Sequence, residues 1–445
     1  SFAQNWSQVG AAQFSNFAID GAITTNPTTS EAYVAIIEPL NSNKISVQKF
    51  DGTNWVAVGS ILPDANTANP AIKVNPLNNE LVVAFRSTVN SSMYAYKFNG
   101  TAWVPIFTDI AIGLSNHRLQ IQFNAPGTVI RVAGRRIDKR LAIVEKNLSN
   151  GTGQNRIEDI VTNKDYNYDF NSFGEYHAVR TYAGNYYQQI DSWAGRKNLG
   201  SGTSYSDFNY VFGKTSANFK TIAGISGKNY ISTLNDFNFT GEDKLEVYND
   251  NTLVKTEDVA NNIIQFRESS NDEKLYLMYA EKTTNNLVFE NYKPLSNTWT
   301  SLPSIGLKTN TTDFFTKMMI SKNDGNMYVL YMDGGKVSVK KYSIPVIVFS
   351  PRLFVDKNAT GNNDGSSWAN AIPSLADALE NNVSSITTEI WIAKGTYTPD
   401  ASDRKKSFSI NRDLKIYGGF AGTETTLAQR DILANPTILS GDLNN

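Results

Sequence analysis

A short stretch, Lys49-Phe50-Asp51-Gly52-Thr53-Asn54-Trp55-Val56, returns as Lys97-Phe98-Asn99-Gly100-Thr101-Ala102-Trp103-Val104. The two tryptophans lie 48 residues apart. An aromatic residue, then Asp-Gly or Asn-Gly, then Trp with alternating apolar positions reads as a strand, a tight turn and a second strand. Such a turn needs positive φ at its centre, which Gly and Asn tolerate. A hairpin that returns at this interval restricts the chain to a repeat architecture. For all-β repeats of this length the expected unit is the blade of a β-propeller.

A second feature recurs with the hairpin. Apolar strands begin at Ala32, Leu81, Val129, Tyr176, Tyr230, Leu275 and Met327, about fifty residues apart. Seven such strands predict seven blades. Around the second, Ala71–Val74 reads as the inner strand, followed by a turn at Asn75–Asn79 and then by Leu81–Phe85, Met93–Phe98 and Trp103–Ile106. The fourth and fifth units are Tyr- and Asn-rich and lack a clean Gly-x-x-Trp hairpin. The seventh runs through Lys336–Tyr342 with no Trp-bearing strand after it. Asn5-Trp6-Ser7-Gln8-Val9-Gly10 matches Asn54-Trp55-Val56-Ala57-Val58-Gly59, so the N-terminal strand is expected to complete the last blade and cover its open edge.

Composition narrows the function classes. The chain has 445 residues, 41 basic and 42 acidic, for a net charge of −1. Nothing in that balance argues for a phosphate-binding surface, so no nucleic-acid partner is expected. There is no Cys, which excludes disulfides and thiolate metal sites and fits a protein that works outside the cell. Only His117 and His177 are present, with no paired nucleophile motif, and both read as structural. No apolar run approaches the ~20 residues of a membrane span. Ser1-Phe2-Ala3 reads as the end of a signal peptide or as an ordinary exposed terminus.

Composition shifts near Pro345. Residues 1–343 are read as the propeller, 344–352 as a linker and 353–445 as a second domain. In the latter, Ser374 is expected to cap a short helix whose apolar face is Leu375, Ala378 and Leu379. Three short strands follow, at Glu389–Ala393, Leu414–Phe420 and Thr437–Ser440. Ile392, Ile416 and Leu439 fall about two dozen residues apart, a spacing suited to the rungs of a parallel β-helix.

Val355-Asp356, Asp364-Gly-Ser-Ser-Trp368, Ile390-Trp-Ile-Ala-Lys-Gly-Thr-Tyr397, Tyr417-Gly-Gly-Phe-Ala-Gly-Thr-Glu424 and Leu439-Ser-Gly-Asp442 together resemble the opening of pectin-lyase-like right-handed parallel β-helix domains. These belong to surface proteins of bacteria that use type 9 secretion. The resemblance covers about the last 95 residues. It implies a cap followed by further rungs, a secreted or cell-surface location, and the outer-membrane secretion machinery as a partner. The catalytic residues of β-helix lyases lie on later rungs, so it transfers none. The N-terminal part resembles secreted bacterial β-propellers through its Phe-Asp-Gly-x-x-Trp turns.

Residues just past the ends of the seven apolar strands form the candidate ligand site: Glu38, Arg86, Arg135, Tyr182, Asn235, Glu281 and Asp333. Equivalent strands would place them around one mouth of the propeller channel, as a sugar or peptide site or as a solvated rim. The stretch from Tyr182 to Trp193 is either an aromatic platform for sugars or a sheet packed with its own aromatics. Asp356, Asn362 and Asp364 offer oxygen ligands suited to calcium, although Asx residues are also ordinary turn formers. No other cofactor is expected. The resulting expectation is an adhesin-type protein that binds glycan or protein through the propeller, with the β-helix as stalk. The alternative is a polysaccharide lyase or hydrolase whose catalytic rungs lie beyond residue 445.

Overall fold

The computed structural model describes residues 6–116, 118–124, 126–138, 141–157, 164–170, 176–182, 193–197, 218–225, 228–236, 243–249, 252–269, 272–294, 297–307, 315–344, 350–379, 386–400, 403, 405–410 and 413–442. The chain divides into two units. One comprises residues 1–269, 275–291 and 301–344; the other comprises 270–274, 292–300 and 345–445.

The first unit is all-β and propeller-like. Strand β1 (Trp6–Gln8) is followed by a sheet of β2 (Asp20–Thr25), β3 (Ala32–Glu38), β4 (Lys44–Phe50) and β5 (Trp55–Ala57). The next sheet holds β6 (Thr67–Val74), β7 (Leu81–Ser87), β8 (Met93–Phe98) and β9 (Trp103–Ile110). A third holds β10 (Gln120–Phe123), β11 (Val129–Arg135), β12 (Leu141–Asn147) and β13 (Gly153–Ile157). A fourth has three strands, β14 (Lys164–Phe170), β15 (Tyr176–Tyr182) and β16 (Trp193–Lys197).

The expectation of seven separate blades is corrected at this point. Strands β17 (Asn218–Ile225), β18 (Lys228–Asp236), β19 (Asp243–Asn249), β20 (Thr252–Ser269), β21 (Lys274–Glu281), β22 (Leu287–Lys293) and β23 (Thr298–Ser301) form one seven-stranded sheet. The physical reason is β20, an 18-residue strand with neither Gly nor Pro to break it. Its first half pairs with β19, from Asn249↔Thr252 to Lys244↔Asp258. Its continuation carries the ladder on to β21. A fifth separate sheet is built from β24 (Thr316–Ile320), β25 (Met327–Asp333), β26 (Lys336–Tyr342) and β1. There are therefore five separate blade sheets and one wide sheet among the described residues. The inner strands meet in the order β24, β2, β6, β10, β14, β17, β20 and β24 again.

Strand β1 is the outer strand of the last sheet, with Trp6↔Tyr342, Ser7↔Lys341 and Gln8↔Lys340 in antiparallel register. The Val9 N–H donates to Val339 O at 2.9 Å, and the Phe14 N–H to Val337 O at 3.0 Å.

Burial explains why the second strand of each sheet reads as continuously apolar. Side chains alternate across a strand, and here both faces are covered. Ala32, Val34 and Ile36 of β3 pack with Leu330, Val337 and Val339 of the last sheet, while Ala35 and Ile37 pack with Ile72, Val83 and Phe85 of the next. Val82 and Ala84 of β7 turn to Ile121, Ile130 and Val132. The core is thus a series of interfaces between sheets.

Three outer-strand tryptophans each tie one sheet to its predecessor. Trp55 Nε1 donates to Val9 O at 2.8 Å, Trp103 Nε1 to Val58 O at 3.2 Å and Trp6 Nε1 to Pro303 O at 2.7 Å. Gly10 and Gly59, just after two of these acceptors, sit at φ +67°. A Cβ at Gly59 would lie 2.6 Å from the Phe98 ring, and one at Gly10 would lie 2.9 Å from Trp55. The Trp-x-x-Val-Gly pattern is therefore an inter-sheet contact as well as a strand.

The second unit contains β27 (Arg352–Val355), helix α1 (Leu375–Asp377), β28 (Glu389–Ala393), β29 (Gly395–Tyr397), β30 (Lys415–Phe420) and β31 (Thr437–Leu439). Ser374 Oγ accepts from the Asp377 N–H at 3.2 Å, and Leu375, Ala378 and Leu379 are buried. Strands β27, β28 and β30 form a parallel sheet, and β29 pairs with β31, also in parallel.

The expected rung alignment is corrected. Ile416 stands opposite Ile390, not Ile392, and a register shift falls between Trp391 and Ala393. Leu439 pairs with Tyr397 in the other sheet and is exposed. Spacing in sequence fixed neither register nor sheet because Lys394-Gly395 turns the chain between β28 and β29. One face of the three-stranded sheet packs Leu353, Val355, Ile390 and Ile392 on the helix. The other stacks Trp391 on Phe420 at 4.6 Å, with Phe354 and Trp368 against them.

Candidate ligand-binding face

All seven proposed mouth residues fall at the C-terminal end of the second strand of a repeat. Glu38 ends β3, Arg135 ends β11, Tyr182 ends β15, Glu281 ends β21 and Asp333 ends β25; Arg86 and Asn235 are next to last in β7 and β18. They share one end of the unit but sit one strand out from the inner strands. Glu38 is buried and accepts from Asn41 Nδ2 at 2.5 Å and Ser46 Oγ at 3.1 Å, so it braces its own turn. Arg86 Nε donates to Leu114 O at 3.1 Å, reaching the connection into the next sheet. Glu281 accepts from Thr284 Oγ1 at 2.5 Å. Tyr182 and Asn235 are placed by their backbones, and the platform stretch 183–192 lies outside the described residues. His117 and residues 1–5 lie outside them too.

Polar links the sequence reading missed run between inner strands. Lys317 Nζ of β24 lies 3.5 Å from Asp20 Oδ1 of β2, and Lys73 Nζ of β6 lies 2.6 Å from Gln122 Oε1 of β10. Gln265 of β20 donates to Thr316 O and accepts from the Met318 N–H, at 2.8 and 2.7 Å. Gln265 thereby pairs one carbonyl and one N–H on the free edge of β24, and the two lysine links join neighbouring inner strands through their side chains. A polar residue within an otherwise apolar inner strand was the available signal.

The same end of the unit carries a feature with the repeat period. The turns between second and third strands present Leu40, Val89 and Ile137, which are 80%, 77% and 68% exposed. They lie 49 and 48 residues apart, one on each of three consecutive sheets. Phe17, Ile19 and Ile61, in the connections that lead into β2 and β6, are also exposed at this end. Turn tips favour Gly, Asn, Asp and Ser, and an aliphatic residue also stands in the turn at the other end of the second sheet, where Leu77 is 61% exposed.

Backbone bonds lace these turns into one ledge. The Asn66 N–H donates to Ser42 O, the Thr88 N–H to Asn66 O, the Leu114 N–H to Ser91 O and the Ile137 N–H to Gly113 O, all at 2.8–2.9 Å. Ser115 reaches Arg135 O through both its N–H, at 2.8 Å, and its Oγ, at 3.0 Å.

In the second unit, Asp356 Oδ1 accepts from the Asn358 N–H and Asp364 Oδ1 from the Ser366 N–H, each at 2.9 Å. The Asn362 N–H donates to Asn370 Oδ1 at 3.1 Å. The two candidate calcium carboxylates thus cap separate turns, and no group of three His, Cys, Asp or Glu side chains gathers among the described residues. No helix of the described residues is long and apolar enough to cross a membrane.

No family model matches the chain, and no curated protein matches it in sequence. Among solved structures it is similar to a prolyl endopeptidase, with a TM-score of 0.46 and 10% identity over 77% of this chain and 50% of that one. The chain therefore spans half the length of that enzyme. It is also similar to the Aleuria aurantia lectin in complex with Fucalpha1-6GlcNAc, with a TM-score of 0.39 and 13% identity over 68% of this chain and 100% of the lectin. AofleA of Arthrobotrys oligospora gives a TM-score of 0.39 and 11% identity over 63% and 87% of the two chains.

Proposed function

We propose that the chain is a secreted bacterial cell-surface protein of adhesin type, which holds a glycan or protein ligand at the end of the propeller-like unit where the second strands finish. The observation that carries this reading is the laced ledge. Charged strand ends and exposed aliphatic tips are concentrated there on a braced backbone, and a preorganised surface loses little ordering entropy on binding. The parallel strand pairs of the second unit support its reading as the start of a coil that serves as a stalk, and the absence of cysteine supports export.

The test is binding of the full chain to a glycan array and to immobilised cell-surface protein extracts, beside a variant carrying Arg86→Ala and Arg135→Ala. Loss of about tenfold or more in ligand affinity is expected, the effect of removing charge-assisted contacts from an anchored ligand. A ligand held equally well by the double variant would remove this end of the unit as the site.

A further inference from the structure

Two hairpin turns carry a pair of residues that can react with each other. The chain has two Asn-Gly pairs, Asn99-Gly100 and Asn150-Gly151. Each is exposed in the turn between the third and fourth strands of a sheet, β8 to β9 and β12 to β13. Glycine has no Cβ, so its backbone nitrogen is the least hindered that a preceding Asn amide can meet. A Cβ at either glycine would have nothing within 4 Å, so both turns have room for a new ring. Both Asn side chains also have two donors on Oδ1. Asn99 Oδ1 accepts from the Thr101 and Ala102 N–H groups at 3.0 and 2.8 Å. Asn150 Oδ1 accepts from the Thr152 N–H at 3.0 Å and from its Oγ1 at 2.7 Å. Donors at these distances stabilise the oxyanion that forms when the amide carbon is attacked. The turns differ at the attacking nitrogen. The Gly151 N–H donates to Asn147 O at 3.0 Å, whereas the Gly100 N–H donates to no group among the described residues.

We propose that Asn99 is a site of spontaneous deamidation and that Asn150, its counterpart in the next sheet, is protected. The Gly100 nitrogen attacks Asn99 Cγ and forms a C–N bond. The amide nitrogen leaves as ammonia, taking the Gly100 proton, and a succinimide ring remains. Water then opens the ring at one of its two carbonyls. Opening at the side-chain carbonyl gives an aspartyl residue with the backbone unchanged. Opening at the main-chain carbonyl gives an isoaspartyl residue, through whose side chain the backbone now runs. Either product adds a negative charge. The aspartyl form suits the turn, because Asp51 holds the matching place in the first hairpin and accepts from the Thr53 and Asn54 N–H groups at 2.9 and 2.8 Å. The isoaspartyl form lengthens the backbone by a methylene and withdraws the acceptor from Thr101 and Ala102, so it loosens the hairpin that carries Trp103. Strands β7, β8 and β9 are antiparallel, so this turn lies at the opposite end of the sheet from Val89. The assignment therefore does not depend on the ligand proposed above.

The test is peptide mapping of the full chain by mass spectrometry after incubation in mildly alkaline buffer, once folded and once in urea. Unfolding frees both glycine N–H groups, so in urea the two pairs should convert at similar rates. In the folded chain, conversion at Asn99 should run about fivefold ahead of Asn150, the effect of the one hydrogen bond that must break first. The two products at position 99 have equal mass and are separated by chromatography. Asn99→Asp should melt at the same temperature as the wild type. Equal rates in the folded chain, faster conversion at Asn150, or an Asn99 amide that persists when folded but is lost in urea would each overturn the proposal. A lower melting temperature for Asn99→Asp would overturn the claim that the aspartyl product keeps the turn. The glycan array is a separate readout, so either reading can fail without the other.

Discussion

At the scale of single residues, the tightest constraint is the glycine that follows Trp6 and Trp55 four positions on. Gly59 has φ +67° and would place a Cβ 2.6 Å from the Phe98 ring of the next sheet. Gly113 has nearly the same backbone, φ +62°, with nothing near its would-be Cβ. Gly113→Ala should therefore cost only the left-handed conformation, about 1–2 kcal/mol. Gly59→Ala adds overpacking of roughly 1–3 kcal/mol. Urea unfolding of both variants separates these contributions, and equal losses would show that the close approach contributes nothing. Trp55→Phe keeps a ring against Phe14 but strips Val9 O of its indole donor, at about 1 kcal/mol. Asp51 and Asn99 illustrate the reverse case, in which residue type is permissive. Each side-chain oxygen accepts two backbone N–H groups of its hairpin at 2.8–3.0 Å, so a carboxylate and an amide perform the same turn chemistry.

At the scale of elements, β1 has the largest expected effect for its length. It supplies three register pairs to β26, and Trp6 packs on Phe289 and Tyr342 with ring centroids 4.7 and 5.2 Å away. Deleting residues 1–10 removes hydrogen bonds of about 1 kcal/mol each and a tryptophan contact of roughly 2–3 kcal/mol. It also leaves β26 as an open edge. A fall of about 5–10 °C in melting temperature is expected, read by calorimetry; an unchanged melt would mean that β1 contributes little to the fold. The pairing was legible because the motif Asn-Trp-x-x-Val-Gly appears both at the terminus and in the first hairpin. The second strands were legible because burial on both faces leaves an uninterrupted apolar run. The continuity of β19 through β21 was not, since nothing in a repeat count records where a hydrogen-bond ladder stops. Register in the second unit was not legible either, because a shift at Trp391 and a turn at Lys394-Gly395 are set by packing and not by interval. For the candidate face, the charged strand ends could be found by aligning strands. Leu40, Val89 and Ile137 carried the repeat period in plain view but sat in turns, where apolar residues are easily passed over.

At the scale of the whole molecule, acidic and basic residues nearly cancel, so general charge repulsion does not set the pH dependence of stability near neutrality. Individual shifted groups do. On the acid side, burial opposes ionisation of Asp324, but hydrogen bonds from Asn326 and Tyr328 help to outweigh it and hold the carboxyl below its usual range. The same balance holds for Glu424, whose carboxylate gathers the N–H groups of Ala421, Gly422 and Thr423. A carboxyl whose folded pKa is lowered contributes stability that is present above the unfolded value near 4 and is lost as pH falls through the folded one.

The alkaline side turns on Lys293. It is 4% exposed, and its ammonium has no hydrogen-bond partner among the described residues. Burial, then the nearby Lys274, push its pKa down to about 7. The unfolded chain would keep that proton up to about 10.4. Between those values the unfolded state binds more protons, so stability rises with pH. Buried tyrosines act at higher pH: Tyr292 and Tyr397 are raised to about 12, chiefly by burial. A raised phenol favours the fold below its unfolded value near 10 and ceases to as pH climbs through the folded one. Maximum stability is therefore expected between about pH 8 and 10, on the alkaline side of the usual optimum. Lys293→Met removes the rising limb and stabilises the protein at neutral pH by an amount on the order of a few kcal/mol. Urea unfolding at steps from pH 6 to 10 measures both curves. Curves for wild type and variant that run parallel across this range would show that Lys293 is already solvated in the native state.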